Sequence, residues 1–76
     1  MSFTPAQCRA ARGLLGWSQA DLALASKTAT KTIADFERLA RTPYARTLED
    51  VRRALENAGI VFIEKNGGGA GVRTKK

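Results

Sequence analysis

The pattern of apolar and polar positions divides the chain into four short helical stretches and one strand. Thr4-Pro5-Ala6-Gln7 reads as a helix start, with Thr4 as N-cap, Pro5 at the first helical position and Gln7 completing a capping box. Cys8, Ala11 and Leu15 then fall on one stripe, the spacing of an amphipathic helix that Gly16 ends. Trp17 follows as an apolar anchor, and Ser18 caps a second helix over about 19–25 that buries Leu22 and Ala23. Ser26-Lys27-Thr28 carries no apolar period and predicts a tight turn. A third helix, over about 29–38, points Ile33 and Phe36 at the first two. Pro43 disfavours helix at the residue before it, so 39–44 is a loop. Leu48, Val51 and Leu55 at i, i+3 and i+7 place a fourth helix over about 45–57, terminated by Asn57-Ala58-Gly59.

The remainder changes character. Ile60-Val61-Phe62-Ile63 is β-branched and aromatic, bounded by Gly59 and a polar run, and reads as a strand. Residues 66–71 have the composition of a flexible linker, and 72–76 that of a disordered basic tip. The organisation expected is a helical domain over 1–59, a strand over 60–65 and a Gly-rich basic tail over 66–76. A lone strand leaves backbone groups and apolar side chains without partners. Two copies paired antiparallel about a two-fold axis would supply them, making Ile60, Val61, Phe62 and Ile63 a dimerisation element. The competing reading is an irregular arm packed on its own domain.

Composition narrows the chemistry. The chain of 76 residues is one domain at most. At that size it buries only about 60% of its unfolded surface, so well-packed helices or a partner chain must supply stability. Cys8 is the single cysteine and there is no histidine, which excludes an internal disulfide and a Cys/His zinc site and removes the commonest general base. Cys8 itself reads as a small buried apolar residue, with a redox switch as the minor alternative. Residues 67–71 lack the lysine and helix that a phosphate-binding loop requires. No enzyme, metal or cofactor is therefore expected. The net charge of +6 and a pI near 10.3 suit a polyanionic partner, though a solubilising surface explains them equally well. No apolar run long enough to span a membrane and no signal-peptide pattern is present, so a soluble cytoplasmic protein is expected.

Two short helices around a tight turn, sharing one core, form a helix-turn-helix unit. At this point the chain resembles the Cro/repressor-type (Xre) family of DNA-binding domains. Residues Arg12-Gly13-Leu14-Leu15-Gly16-Trp17-Ser18-Gln19-Ala20-Asp21-Leu22-Ala23 are similar to that family's first-to-second-helix segment. Thr32-Ile33-Ala34-Asp35-Phe36-Glu37-Arg38 resembles its recognition helix, and the spacing continues through Pro43, Leu48, Val51 and Leu55. The resemblance covers residues 4 to about 58. It implies a mainly α, four-helix, lambda-repressor-like fold, to which the reading above adds the short C-terminal strand paired across a dimer.

The resemblance also implies roles. Gln19 stands where the family touches the DNA backbone, Thr30 and Lys31 where it contacts base edges, and Arg41 and Thr42 where a loop contacts phosphates. Asp35 falls on the groove-facing side, where it either accepts from a cytosine amino group or pairs with Lys31 four residues earlier. Arg12 and Glu37 match an ion pair between the first and third helices. The sequence departs from the pattern at the turn. Lys27 replaces the usual glycine and reads either as a phosphate contact or as solvated surface. Thr28 replaces an apolar residue, and Ala29 the usual serine cap, with Thr28 expected to cap in its place. Arg52 and Arg53 read as a solvated helix face, with an approach of one of them to DNA as the alternative. The function implied is a sequence-specific transcriptional regulator occupying an inverted-repeat operator on double-stranded DNA as a homodimer. The alternative is a protein-binding module, an antitoxin or antagonist acting through the C-terminal tail.

Overall fold

Helix α1 (Pro5–Leu15) begins where the capping box predicts. The backbone N–H of Gln7 donates to Thr4 Oγ1 at 3.1 Å, and Thr4 N–H donates back to Gln7 Oε1 at 3.0 Å. Gly16 closes the helix with a left-handed φ of 69°, which a glycine adopts without steric cost. In this computed structural model residues 3–63 and 70–75 are described. Helix α2 (Gln19–Ser26) carries a second capping box, Ser18 with Asp21. Helix α3 (Thr30–Glu37) follows, and α4 (Ala45–Asn57) spans the residues predicted from its apolar period. Among the described residues, no helix is long and apolar enough to cross a membrane.

The four helices share one core. Leu22 of α2, Ile33 of α3, Leu55 of α4 and Cys8 of α1 have essentially no solvent exposure. Burying a side chain of this size contributes about 1.5–3 kcal/mol relative to leaving it exposed. Trp17 and Leu48 are half-buried against this cluster.

The C-terminal region differs from the expectation. Strand β1 (Ile60–Ile63) is present, but a second strand, β2 (Gly71–Thr74), pairs with it antiparallel. The register sets Ile60 opposite Thr74 and Phe62 opposite Val72. Residues 72–74, read as part of a disordered tip, are thus strand, and the chain supplies the ladder partner that was sought in a second copy. Lys75 N–H extends the pairing by donating to the Gly59 carbonyl at 2.9 Å. Glu64 and Lys65 of the expected strand, residues 66–69 of the expected linker and Lys76 lie outside the described residues. The sheet packs on its own domain: Ile60 is fully buried, and Phe62 meets Phe3 edge-on at 5.2 Å between ring centroids. The buried Gln7 amide donates to the Gly71 carbonyl at 3.1 Å and, more weakly, to that of Ile63 at 3.4 Å. One residue therefore starts α1 and ties the sheet to it.

Arg52 also departs from its expected place on a solvated face. Its guanidinium lies 5.0 Å from the Phe62 ring centroid and donates to Glu56 Oε2 at 3.2 Å. A guanidinium stacks on an aromatic face through the ring's quadrupole, so Phe62 of β1 draws Arg52 inward. Arg53 remains exposed and pairs with Glu49.

The α2–α3 turn is strained at its first residue. Lys27 has φ 57°, left-handed backbone that costs a residue with a Cβ about 1–2 kcal/mol. Glycine would relieve that cost while adding about 0.5–1 kcal/mol of unfolded-chain entropy. Lys27→Gly is expected to raise stability by up to about 1 kcal/mol, read as a higher urea midpoint at unchanged slope. An unchanged or lower midpoint would show that the lysine is not strained there.

Candidate nucleic-acid interface

The candidate residues sit on α2, α3, the three-residue turn between them (residues 27–29) and the loop after α3. That turn is built by backbone bonds. Thr28 N–H donates to the Ala23 carbonyl at 2.9 Å, and Thr28 Oγ1 donates to the Ser26 carbonyl at 3.3 Å. Thr28 therefore does not cap α3 as expected. Ala29 occupies the cap with no side-chain bond, which leaves the first N–H groups of α3 without a side-chain acceptor.

Lys27, Thr28, Arg41 and Thr42 come together around one groove of about 610 Å³, which Thr32, Tyr44 and Thr47 also line. Lys27 and Arg41 are exposed there and form no ion pair among the described residues. Thr30 lies beside this groove, in a shallower one with Lys27, Thr28 and the exposed Leu24. Tyr44 and Thr47 were not singled out from the sequence. Their only sequence signal was position, flanking Pro43 at the start of α4.

Lys31 and Asp35 lie one turn apart on α3, and Arg38, at its C-cap, joins them; Arg38 is not among the residues expected at the site. Lys31 Nζ donates to Asp35 Oδ2 at 3.2 Å, so the pairing alternative for Asp35 is the one present. Arg38 donates to Asp35 Oδ1 from Nε at 3.1 Å and from Nη2 at 2.9 Å. The Arg38 bonds, and then that of Lys31, hold the Asp35 carboxyl below the usual aspartate range. Its i+3 spacing from Asp35 is the signal that would have found Arg38.

Gln19 is placed differently from the rest. Its amide donates to Glu37 Oε1 at 3.1 Å rather than pointing to solvent. Glu37 is 4% exposed and gathers three elements. Arg12 of α1 grips it with Nη2 to Oε1 at 2.6 Å and Nε to Oε2 at 2.7 Å, the ion pair expected between these residues. Cys8 Sγ donates to Oε2 at 3.0 Å, and Arg9 donates to the Glu37 backbone carbonyl. Arg12 Nη1 reaches onward to the Trp17 carbonyl at 3.0 Å, just before the α2 cap. Burial alone would raise the Glu37 carboxyl, but the hydrogen bonds from Arg12, Cys8 and Gln19 outweigh it and leave it below the usual glutamate range. Burial, reinforced by the bond to Glu37, pushes the Cys8 thiol well above its ordinary range. A buried, protonated thiol is a poor nucleophile, which speaks against the redox reading of Cys8.

Glu37 thus ties α1, α2 and α3 together, while Lys27, Lys31, Arg38 and Arg41 remain exposed. No known protein-family model matches this chain, and no curated protein matches it.

Proposed function

We propose that this chain binds double-stranded DNA sequence-specifically and regulates transcription by occupying an operator, without enzymatic activity. The observation that carries the reading is the pair α2 and α3 around a three-residue turn, with Lys27 and Arg41 lining one groove beside α3 and forming no ion pair among the described residues, and Lys31 exposed on α3. A helix presented this way suits the major groove, about 12 Å wide. Exposed cations at the turn and loop suit phosphates, which fix register without reading sequence.

The functional unit proposed is a dimer on an inverted repeat, since one short helix reads few base pairs. Of the residues expected to dimerise, Ile60 is buried in its own domain and Phe62 packs there, whereas Ile63 is 42% exposed at the end of β1. Of that set, Ile63 and the half-buried Val61 are what a second copy would use. The protein-binding alternative gains nothing from the fold, because Val72, the apolar residue of the tail, packs against the core.

Selection of bound duplexes from a random library at near-physiological salt tests the reading. An inverted repeat with half-sites about one helical turn apart is the expected result. Recovery of no motif, with weak salt-sensitive retention only, would reject it. Two substitutions separate the roles within the face. Lys31→Ala should relax base preference and cost about 1–3 kcal/mol on the selected site. Arg41→Ala should weaken every duplex similarly and make the salt dependence shallower. Equal losses for both variants on every sequence would show that α3 does not read bases.

A further inference from the structure

We infer that Asp35 is a positioning residue, holding Lys31 and Arg38 as a fixed pair of donors for a guanine-containing step in the major groove, rather than an acceptor that reads a base itself. This rests on the DNA reading proposed above. Lys31 and Asp35 stand at i and i+4 on α3, and Arg38, the C-cap residue three positions after Asp35, pairs with the same carboxylate. The Asp35 side chain is 15% exposed, whereas those of Lys31 and Arg38 are 82% and 67% exposed. The acid therefore lies beneath its two partners, between them and the helix. Both of its oxygens are engaged, Oδ1 by two nitrogens of Arg38 and Oδ2 by Lys31.

The donors are not used up by this contact. Arg38 gives Asp35 its Nε–Nη2 edge, and Nη1 forms no hydrogen bond among the described residues. Lys31 commits one of its three N–H groups. Guanine O6 and N7 accept from arginine or lysine, and a guanidinium already held in one plane loses less freedom when it binds. The main chain of Asp35 adds to the same organisation. Its carbonyl accepts from the N–H groups of Ala40 at 2.8 Å and Arg41 at 3.3 Å, which fixes the start of the loop that carries Arg41.

The alternatives predict opposite signs. An aspartate that is only a surface charge repels phosphates, so its removal should tighten binding to every duplex. A positioning aspartate makes the selected site lose affinity while binding to unrelated duplexes is unchanged or stronger. The experiment measures Asp35→Ala, Asp35→Asn and Arg38→Ala, and the Asp35→Ala/Arg38→Ala double variant, on the selected duplex and on a scrambled one. Circular dichroism confirms that each variant is folded. Asp35→Ala is expected to lower affinity for the selected duplex about tenfold and to relax preference at one guanine, within the range one good bidentate contact supplies. Once Arg38 is alanine, the Asp35→Ala loss should shrink, because part of what Asp35 positions is gone. Tighter binding of the Asp35 variants to both duplexes, or strict additivity in the double variant, overturns the inference while leaving the DNA reading intact. A wild-type chain that selects no motif overturns both.

Discussion

Glu37→Ala is expected to destabilise the domain by about 3–5 kcal/mol, because removing one member of a buried ion pair strands the other. The stranded groups are specific: the Arg12 guanidinium loses both of its carboxylate bonds, and Cys8 and Gln19 lose their acceptor. A domain of this size has about 4–11 kcal/mol of stability at the usual 0.05–0.15 kcal/mol per residue, so the loss is a large part of the whole. Urea denaturation reads it directly, and a loss under about 1 kcal/mol would show that the hub is not a stabilising centre. The same carboxylate sets a pH dependence. Its folded pKa lies below its unfolded one, so the unfolded state binds the proton more readily. The contribution is complete above the unfolded glutamate pKa of about 4.3 and declines as pH falls through the folded value. The wild-type protein should therefore lose stability on acidification below that pH, and Glu37→Gln should flatten the decline.

This hub was partly visible in the sequence. Arg12 and Glu37 were expected to pair through family resemblance, and the stripe of Cys8 and Ala11 placed Cys8 in the core. Gln19 was not expected there, because a side chain at the first turn of a helix points to solvent or inward according to tertiary packing that local pattern does not record. The helices were legible for simple reasons. Capping boxes at Thr4 and Ser18 are local, and the period of Leu48, Val51 and Leu55 is long enough to fix α4. Within the proposed interface, Lys27, Thr28, Arg41 and Thr42 were all chosen, and the structure lines one groove with them. Asp35 has a cation on each side, Lys31 four residues before it and Arg38 three after, and only the first is a regular i, i+4 pair within the helix; Arg38 reaches it from the cap.

Strand β2 was the largest omission. Gly71-Val72-Arg73-Thr74 has one apolar residue and two that serve a strand only beside a partner, so nothing in its composition separates it from a tail. What makes it a strand is β1 and the Gln7 amide, which lie far away in sequence. The pairing also removes the physical argument that β1 must find its ladder in another chain. A dimer remains part of the proposed function for a different reason, the match between two-fold symmetry and an inverted repeat.

Deleting residues 70–76 is consequently expected to destabilise the domain and not to leave it intact with a missing tail. The deletion removes the ladder to β1 and uncovers Phe62, opposite which Val72 packs. It also leaves the buried Gln7 amide without its stronger acceptor, the Gly71 carbonyl, and an unsatisfied buried polar group costs about 1–3 kcal/mol. Loss of the half-buried Val72 side chain adds about 1 kcal/mol. The sum, about 2–4 kcal/mol before any contribution from the lost ladder, approaches the total stability at the low end for a chain of this length. Thermal melting and urea unfolding of the truncated chain should therefore show a broad or early transition, with loss of DNA binding following loss of structure. Gln7→Leu separates the causes: it removes the buried amide without creating an unpaired one, and should cost less in the truncated chain than in the full one. A truncated protein that melts like the full chain and binds the selected duplex equally well would mean that β2 contributes nothing to the fold. The C-terminal segment would then be free for a protein partner after all, and the alternative reading of this chain would gain the support it lacks at present.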